Sequence, residues 1–131
     1  MKNEWKSNPD IRRRDTLIFG KYWPGYDVKR FEGISVDTLE TLIQEGFADP
    51  EEAQNCAPST QEFLEFMRQY PGYKAHGYVI SEKRHDCRVS IEGVVKGRSC
   101  ASDKELMAFV AMFRYADEFE IGPDGMYCWF D

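Results

Sequence analysis

Histidine occurs only twice and cysteine four times in this sequence, and no Cys-x-x-Cys pair is present. The cysteines at 56, 87, 100 and 128 are widely and unevenly spaced, so they read as free thiols of a reducing compartment. A tetrahedral metal site can be drawn from His76, His85, Cys87 and Cys100, but their spacing matches no compact zinc module. No metal and no cofactor is expected. Long hydrophobic runs are also missing. The longest, Leu106 to Phe113, is too short to span a bilayer, and Met1 to Asp15 is polar without a signal-type apolar stretch. The expected location is the cytoplasm. Gly-x-Ser-x-Gly, a phosphate-cradling glycine loop, the dinucleotide fingerprint and His-Glu-x-x-His are all absent, which removes the common motif-bearing enzyme classes. The balance favours a binding protein over an enzyme.

What is present is the profile of one globular domain: 131 residues, 42% hydrophobic and 31% charged, with no low-complexity tract. A chain of this size can bury a core without disulfides or metal. Residues 1–15 contain the run Arg12-Arg13-Arg14 and few apolar side chains, and read as a flexible basic arm ahead of a single domain over 16–131. The net charge of −6 opposes a protein that coats nucleic acid by charge alone. Its distribution alternates along the chain. Residues 35–65 hold eight acids and no base, and 102–131 hold seven acids against two bases, whereas 1–34 and 66–101 are mildly basic.

Local patterns divide the domain into nine elements. Thr16 to Tyr22 is rich in strand formers and stops at Pro24-Gly25, which predicts a first strand; residues 26–33 fit no single pattern. From Ser35 the period becomes helical, with Leu39, Leu42 and Ile43 on one face, and Gly46 supplies the stop. Asp49-Pro50-Glu51-Glu52 predicts a short helix to about residue 55. Ser59 and Glu62 form a capping box for a third helix that ends at Pro71-Gly72. Alternation over 73–82 and 88–96 predicts a β-hairpin, with Gly93 as a bulge. Ser102 opens a fourth helix, to about residue 116, so apolar around its circumference that it should be covered on more than one side, by a sheet and a second layer or by another subunit. Glu118 to Ile121 and Met126 to Phe130, joined through Gly122 to Gly125, predict a second hairpin. The order β-α-α-α-β-β-α-β-β favours an α+β domain on a mainly antiparallel sheet with about four helices.

Three functional readings follow from the charges and rings. In the first, the protein acts through a protein partner or by self-association, with Glu40, Glu45, Glu62 and Glu65 of the acid-only segment as the docking face. In the second, three helices followed by a hairpin copy the element order of a winged helix. The hairpin tip (Lys83, Arg84, Arg88) and the arm (Arg12, Arg13, Arg14) would then hold nucleic acid, although Glu62 and Glu65 on the would-be recognition helix repel phosphate. In the third, Tyr22, Trp23 and Tyr26 line a small-ligand or uncommon enzyme site between the aromatic loop and the sheet. The carboxylates of Glu118-x-Glu120 share one face of their strand, as alternate positions must. No residue is assigned a catalytic role.

Overall fold

A computed structural model describes residues 5–97 and 101–131. It contains four helices and one five-stranded sheet: α1 (Ile11–Phe19), β1 (Val28–Ile34), α2 (Val36–Gln44), α3 (Thr60–Gln69), β2 (Lys74–Ile80), β3 (Val89–Gly97), α4 (Asp103–Phe113), β4 (Glu118–Gly122) and β5 (Gly125–Trp129). The sheet order is β1-β2-β3-β5-β4 and every pair is antiparallel. The α+β class and the antiparallel sheet are therefore as expected. No helix among the described residues is long and apolar enough to cross a membrane.

Helix boundaries follow local chemistry. Ser35, Ser59 and Ser102 each accept a backbone N–H from three residues on, and Ser59 completes its box with Glu62. Gly46 (φ 84°) adopts the left-handed conformation after α2 that an L side chain resists.

Three expectations need correction. The segment 16–22 is not a strand. Its first half completes α1, because Asp10 caps the helix through the Arg13 N–H and Gly20, at φ 78°, terminates it. The strand-forming Leu17, Ile18 and Phe19 pack against the core from this helix, so burial overrides their local preference. The first strand is instead β1, in the stretch that fitted no pattern. The short helix over 50–55 does not form either. The Asp49 side chain takes the Glu51 N–H at 3.0 Å, while the carbonyls of Pro50 and Glu52 accept from Gln61 and Thr60, which leaves them unable to propagate a helix. Finally, the basic arm is folded from residue 11 onward, with Arg14 fully buried.

All four helices pack on one face of the sheet. Alternate strand residues Phe31, Ala75, Val79, Val89, Ile91, Val94, Met126 and Cys128 meet Leu39 and Leu42 of α2, Phe63, Phe66 and Met67 of α3, and Phe109 and Phe113 of α4. The centre is aromatic. Phe113 stands edge-on to Phe66 at 4.9 Å and to Phe109 at 5.0 Å, and stacks on Phe63 at 5.5 Å. Within the chain helix α4 is covered on one side only: Met107 is 73% exposed and Val110 40%, so no second layer of this chain lies over it. Its inner side seats Phe109 and Phe113 in the core, with Leu106, Ala108 and Met112 packed beside them. The sheet thus keeps its second face free of helices, and that face carries the remaining alternate side chains.

Candidate functional site on the open face of the sheet

The open face is built by period-two alternation in five strands. It carries Arg30 and Glu32 from β1, Lys74, His76 and Tyr78 from β2, Ser90 and Val95 from β3, Tyr127 and Trp129 from β5, and Glu118 and Glu120 from β4. Near its middle the β2–β3 register slips between His76 and Gly77, which leaves Glu92 as the extra residue of a bulge beside Gly93. The expected bulge is therefore real, and it shapes the site.

Gly93 lies directly opposite His76. The imidazole passes over the missing side chain to β5, where Nε2 meets the Cys128 carbonyl at 2.8 Å, and the ring stacks on Tyr127 at 5.2 Å and 14°. A hydrogen bond to a carbonyl requires Nε2 to carry the proton. Burial lowers the His76 pKa, so the ring is neutral near pH 7 and the stacked pair forms an uncharged aromatic floor. Beneath it the buried Cys128 thiol is pushed up to about 12 by burial and stays protonated.

The bulged Glu92 is buried, yet it reaches the guanidinium of Arg30, whose own side chain is mostly exposed. Burial raises the Glu92 pKa against the opposing pull of Arg30. A carboxyl whose pKa is higher folded than unfolded contributes stability that is complete below the unfolded value and lost as pH rises through the folded one. Glu92→Gln should therefore be more stable than the parent near pH 7, with the gap closing toward about pH 4, where both side chains are neutral. Urea unfolding at the two pH values measures this. A less stable variant at neutral pH would mean that the Arg30 pair outweighs burial.

Around Arg30, His76, Val95, Tyr127 and Trp129 the face is hollowed into a cleft of about 410 Å³, with Glu32 and Glu118 on its rim. The two outer strands add a regular pattern. Glu118 sits directly across from Trp129 and Glu120 across from Tyr127, giving two consecutive carboxylate–aromatic pairs. At the other end the loop 49–58 closes the face. There Glu52 accepts from Ser90 Oγ at 2.5 Å and Arg88 Nε at 2.9 Å, and the Tyr78 hydroxyl meets Gln54 Nε2 at 3.3 Å. A separate cleft of about 660 Å³ lies between Trp5–Pro9 and the β2–β3 loop. Three of its charged groups are already engaged, Arg88 by Glu52, Asp86 by Arg84 and Glu82 by the Tyr22 hydroxyl, and burial raises the pKa of its Cys87 thiol.

The residues singled out from sequence do not converge. Glu45 is held by Arg13 at 2.9 Å, Glu40 pairs with Arg68, and Glu62 is spent on the α3 cap; only Glu65 of the four is exposed without such a role among the described contacts. The cations of the hairpin tip are returned to the fold in the same way. Arg84 binds Asp27 at 2.6 Å and Asp86 at 2.7 Å, Arg88 binds Glu52, and Lys83 stacks on Tyr26 at 3.6 Å. Arg12 lies over the Tyr22 ring at 4.3 Å. Tyr22 bonds Glu82, the Trp23 side chain packs against the core while its backbone N–H donates to Asp15 at 2.9 Å, and Tyr26 is 77% exposed under Lys83, so the three rings face separate neighbours instead of enclosing a ligand. His76 is far along the sheet from the loop that holds His85 and Cys87, and Cys100 lies outside the described residues. Among the described residues no group of three or more His, Cys, Asp or Glu is placed to hold a metal ion.

Arg30, His76, Glu92, Tyr127 and Trp129 were not anticipated as a group. The alternation of each strand was readable, but the order that sets β5 between β3 and β4 was not. No protein-family model matches the chain, and no curated protein or solved structure matches it.

Proposed function

We propose that the protein is a non-enzymatic, cytoplasmic binding module that docks a protein partner on the open face of its sheet. The observation that carries this reading is the concentration of Tyr127, Trp129, His76 and Arg30 around one cleft on the face that no helix covers. Tyrosine, tryptophan and arginine dominate the energetics of protein interfaces, because large rigid groups bury area at little entropic cost. The acids at the rim, Glu32 and Glu118, fit the polar surround of such a contact. The helical acids support docking less well, since Glu40 and Glu45 are already paired. The nucleic-acid reading loses weight for the same reason at Arg84 and Arg88. The free thiols of Cys56, Cys87 and Cys128 accord with a reducing compartment. Catalysis finds little support in a neutral His76 tied to a carbonyl and a protonated Cys128.

Site-specific photo-crosslinking in cells of origin tests the reading. A photoreactive phenylalanine analogue at position 127 is expected to give a discrete adduct that Trp129→Ala abolishes, whereas the same analogue at the exposed position 65 of α3 gives none. Adducts from 65 and none from 127 would move the docking surface to the acidic helices.

A further inference from the structure

The sheet ends in two edge strands, β1 and β4, and they are not equivalent. Strand β1 is interrupted by a register shift between Phe31 and Ile34, which twists an edge away from regular pairing. Strand β4 pairs with β5 at every one of its residues, without a shift, and four of its five residues are exposed. Alternate N–H and C=O groups of such a strand face away from its partner, and they form a template for one more strand. The two faces of β4 differ in chemistry. Glu118 and Glu120 lie on the open face beside Trp129 and Tyr127, while Phe119 and Ile121 lie on the other, with Ile121 42% exposed.

We infer that β4 accepts an extended segment of the partner as a sixth strand, a segment that alternates basic residues with apolar ones; this rests on the docking reading above. Each arginine or lysine of the added strand would stand next to Glu118 or Glu120 and within reach of the Trp129 and Tyr127 rings, which attract a cation by their faces as the carboxylates do by charge. Each apolar residue between them would cover Ile121 and the edge of Phe119. Main-chain bonds supply affinity in this mode and the alternate side chains supply selectivity. The same acids select against a second copy of the chain. Pairing β4 with β4 would set Glu118 and Glu120 against their own counterparts, and like charges across strands repel. The net charge of −6 points toward a basic partner as well.

The test is a titration of the full chain with a capped synthetic peptide of alternating arginine and valine, followed by backbone amide NMR and hydrogen exchange. Saturable shifts centred on residues 118–122, with slowed exchange of amides in that strand, are expected. Two surface ion pairs are lost in the double variant Glu118→Gln/Glu120→Gln, so affinity should fall roughly tenfold. A peptide with citrulline in place of arginine should bind as weakly to the parent, and one with glutamate should not bind. Equal binding of the citrulline peptide, undiminished affinity of the double variant, shifts centred elsewhere or no saturation would each overturn the inference. A crosslink from position 127 together with any of these results leaves the docking reading standing and removes only the added strand. Absence of the crosslink removes the docking reading itself.

Discussion

Arg14→Met is expected to destabilise the protein by about 3–5 kcal/mol, the cost of leaving a buried charge without its partner. Arg14 and Asp15 are both fully buried, and Arg14 Nε donates to Asp15 Oδ1 at 2.9 Å. Neighbouring residues on a helix do not face each other in general, so the pair is held by what surrounds it. Arg14 Nη1 donates to the Ile80 carbonyl at 2.8 Å and contacts Cys87 Sγ at 3.3 Å, while Asp15 Oδ2 accepts the Trp23 N–H at 2.9 Å. The two side chains thereby fasten α1 to the end of β2, to the β2–β3 loop and to the aromatic turn that leads into β1. Methionine fills much of the arginine volume, which keeps the cavity contribution small and isolates the electrostatic one. Urea unfolding should show the loss, with a fall in Tm on the order of 10–20 °C. The double variant Arg14→Met/Asp15→Asn removes both charges and keeps an acceptor for Trp23. It should recover most of the stability, because the penalty belongs to the unpaired ion and not to the absent bridge. Equal destabilisation of single and double variants would assign the effect to the Ile80 and Cys87 contacts instead.

The same residues show how far local sequence reaches. Ser59 with Glu62, and Pro71-Gly72 after them, mark the ends of α3 through groups only a few positions apart, and the structure places the helix between them. The two strands of each hairpin are neighbours in sequence and were equally readable. Arg14 was not. A run of three arginines reads as solvated, and the groups that receive the last of them in the interior, Ile80 and Cys87, lie 66 and 73 residues away. Thr16 to Phe19 misled for a related reason: β-branched and aromatic side chains prefer strands, yet Asp10 and Gly20 bracket a helix whose inner face finds the core. The candidate site was hidden by topology. Arg30 is brought to Glu92 across the intervening strand β2, and Trp129 enters the cleft beside Arg30 from a strand whose position beside β3 no local pattern encodes. What sequence did show was that Glu118 and Glu120 share a face; what they share it with became visible only in the sheet.

Gly93→Ala should be the second large effect, about 3 kcal/mol, at the upper end of what overpacking costs. A β-carbon at this position would stand 1.9 Å from the Cys128 carbonyl oxygen and 2.7 Å from His76 Cε1. The first of these is backbone on the neighbouring strand, which cannot rotate aside as a side chain can. Relief therefore requires β3 and β5 to separate where the bulge at Glu92 has already shortened their pairing to three residue pairs, although the Phe130 N–H still bonds the Glu92 carbonyl at 2.7 Å. Gly97→Ala is the control on the same strand. A β-carbon there meets nothing within 4 Å, so its effect should stay within about 0.5 kcal/mol. The consequence extends to the site. His76 reaches Cys128 and Tyr127 only across the space that Gly93 leaves open, so the alanine that parts the strands also displaces the imidazole. Released into water, His76 would lose the burial that lowers its pKa, and its titration by NMR should move up toward the ordinary range for histidine. The aromatic floor of the cleft and the pairing of the central strands are thus one construction. If Gly93→Ala lowered stability without moving the His76 titration, the imidazole would owe its place to Tyr127 and not to the opening at Gly93.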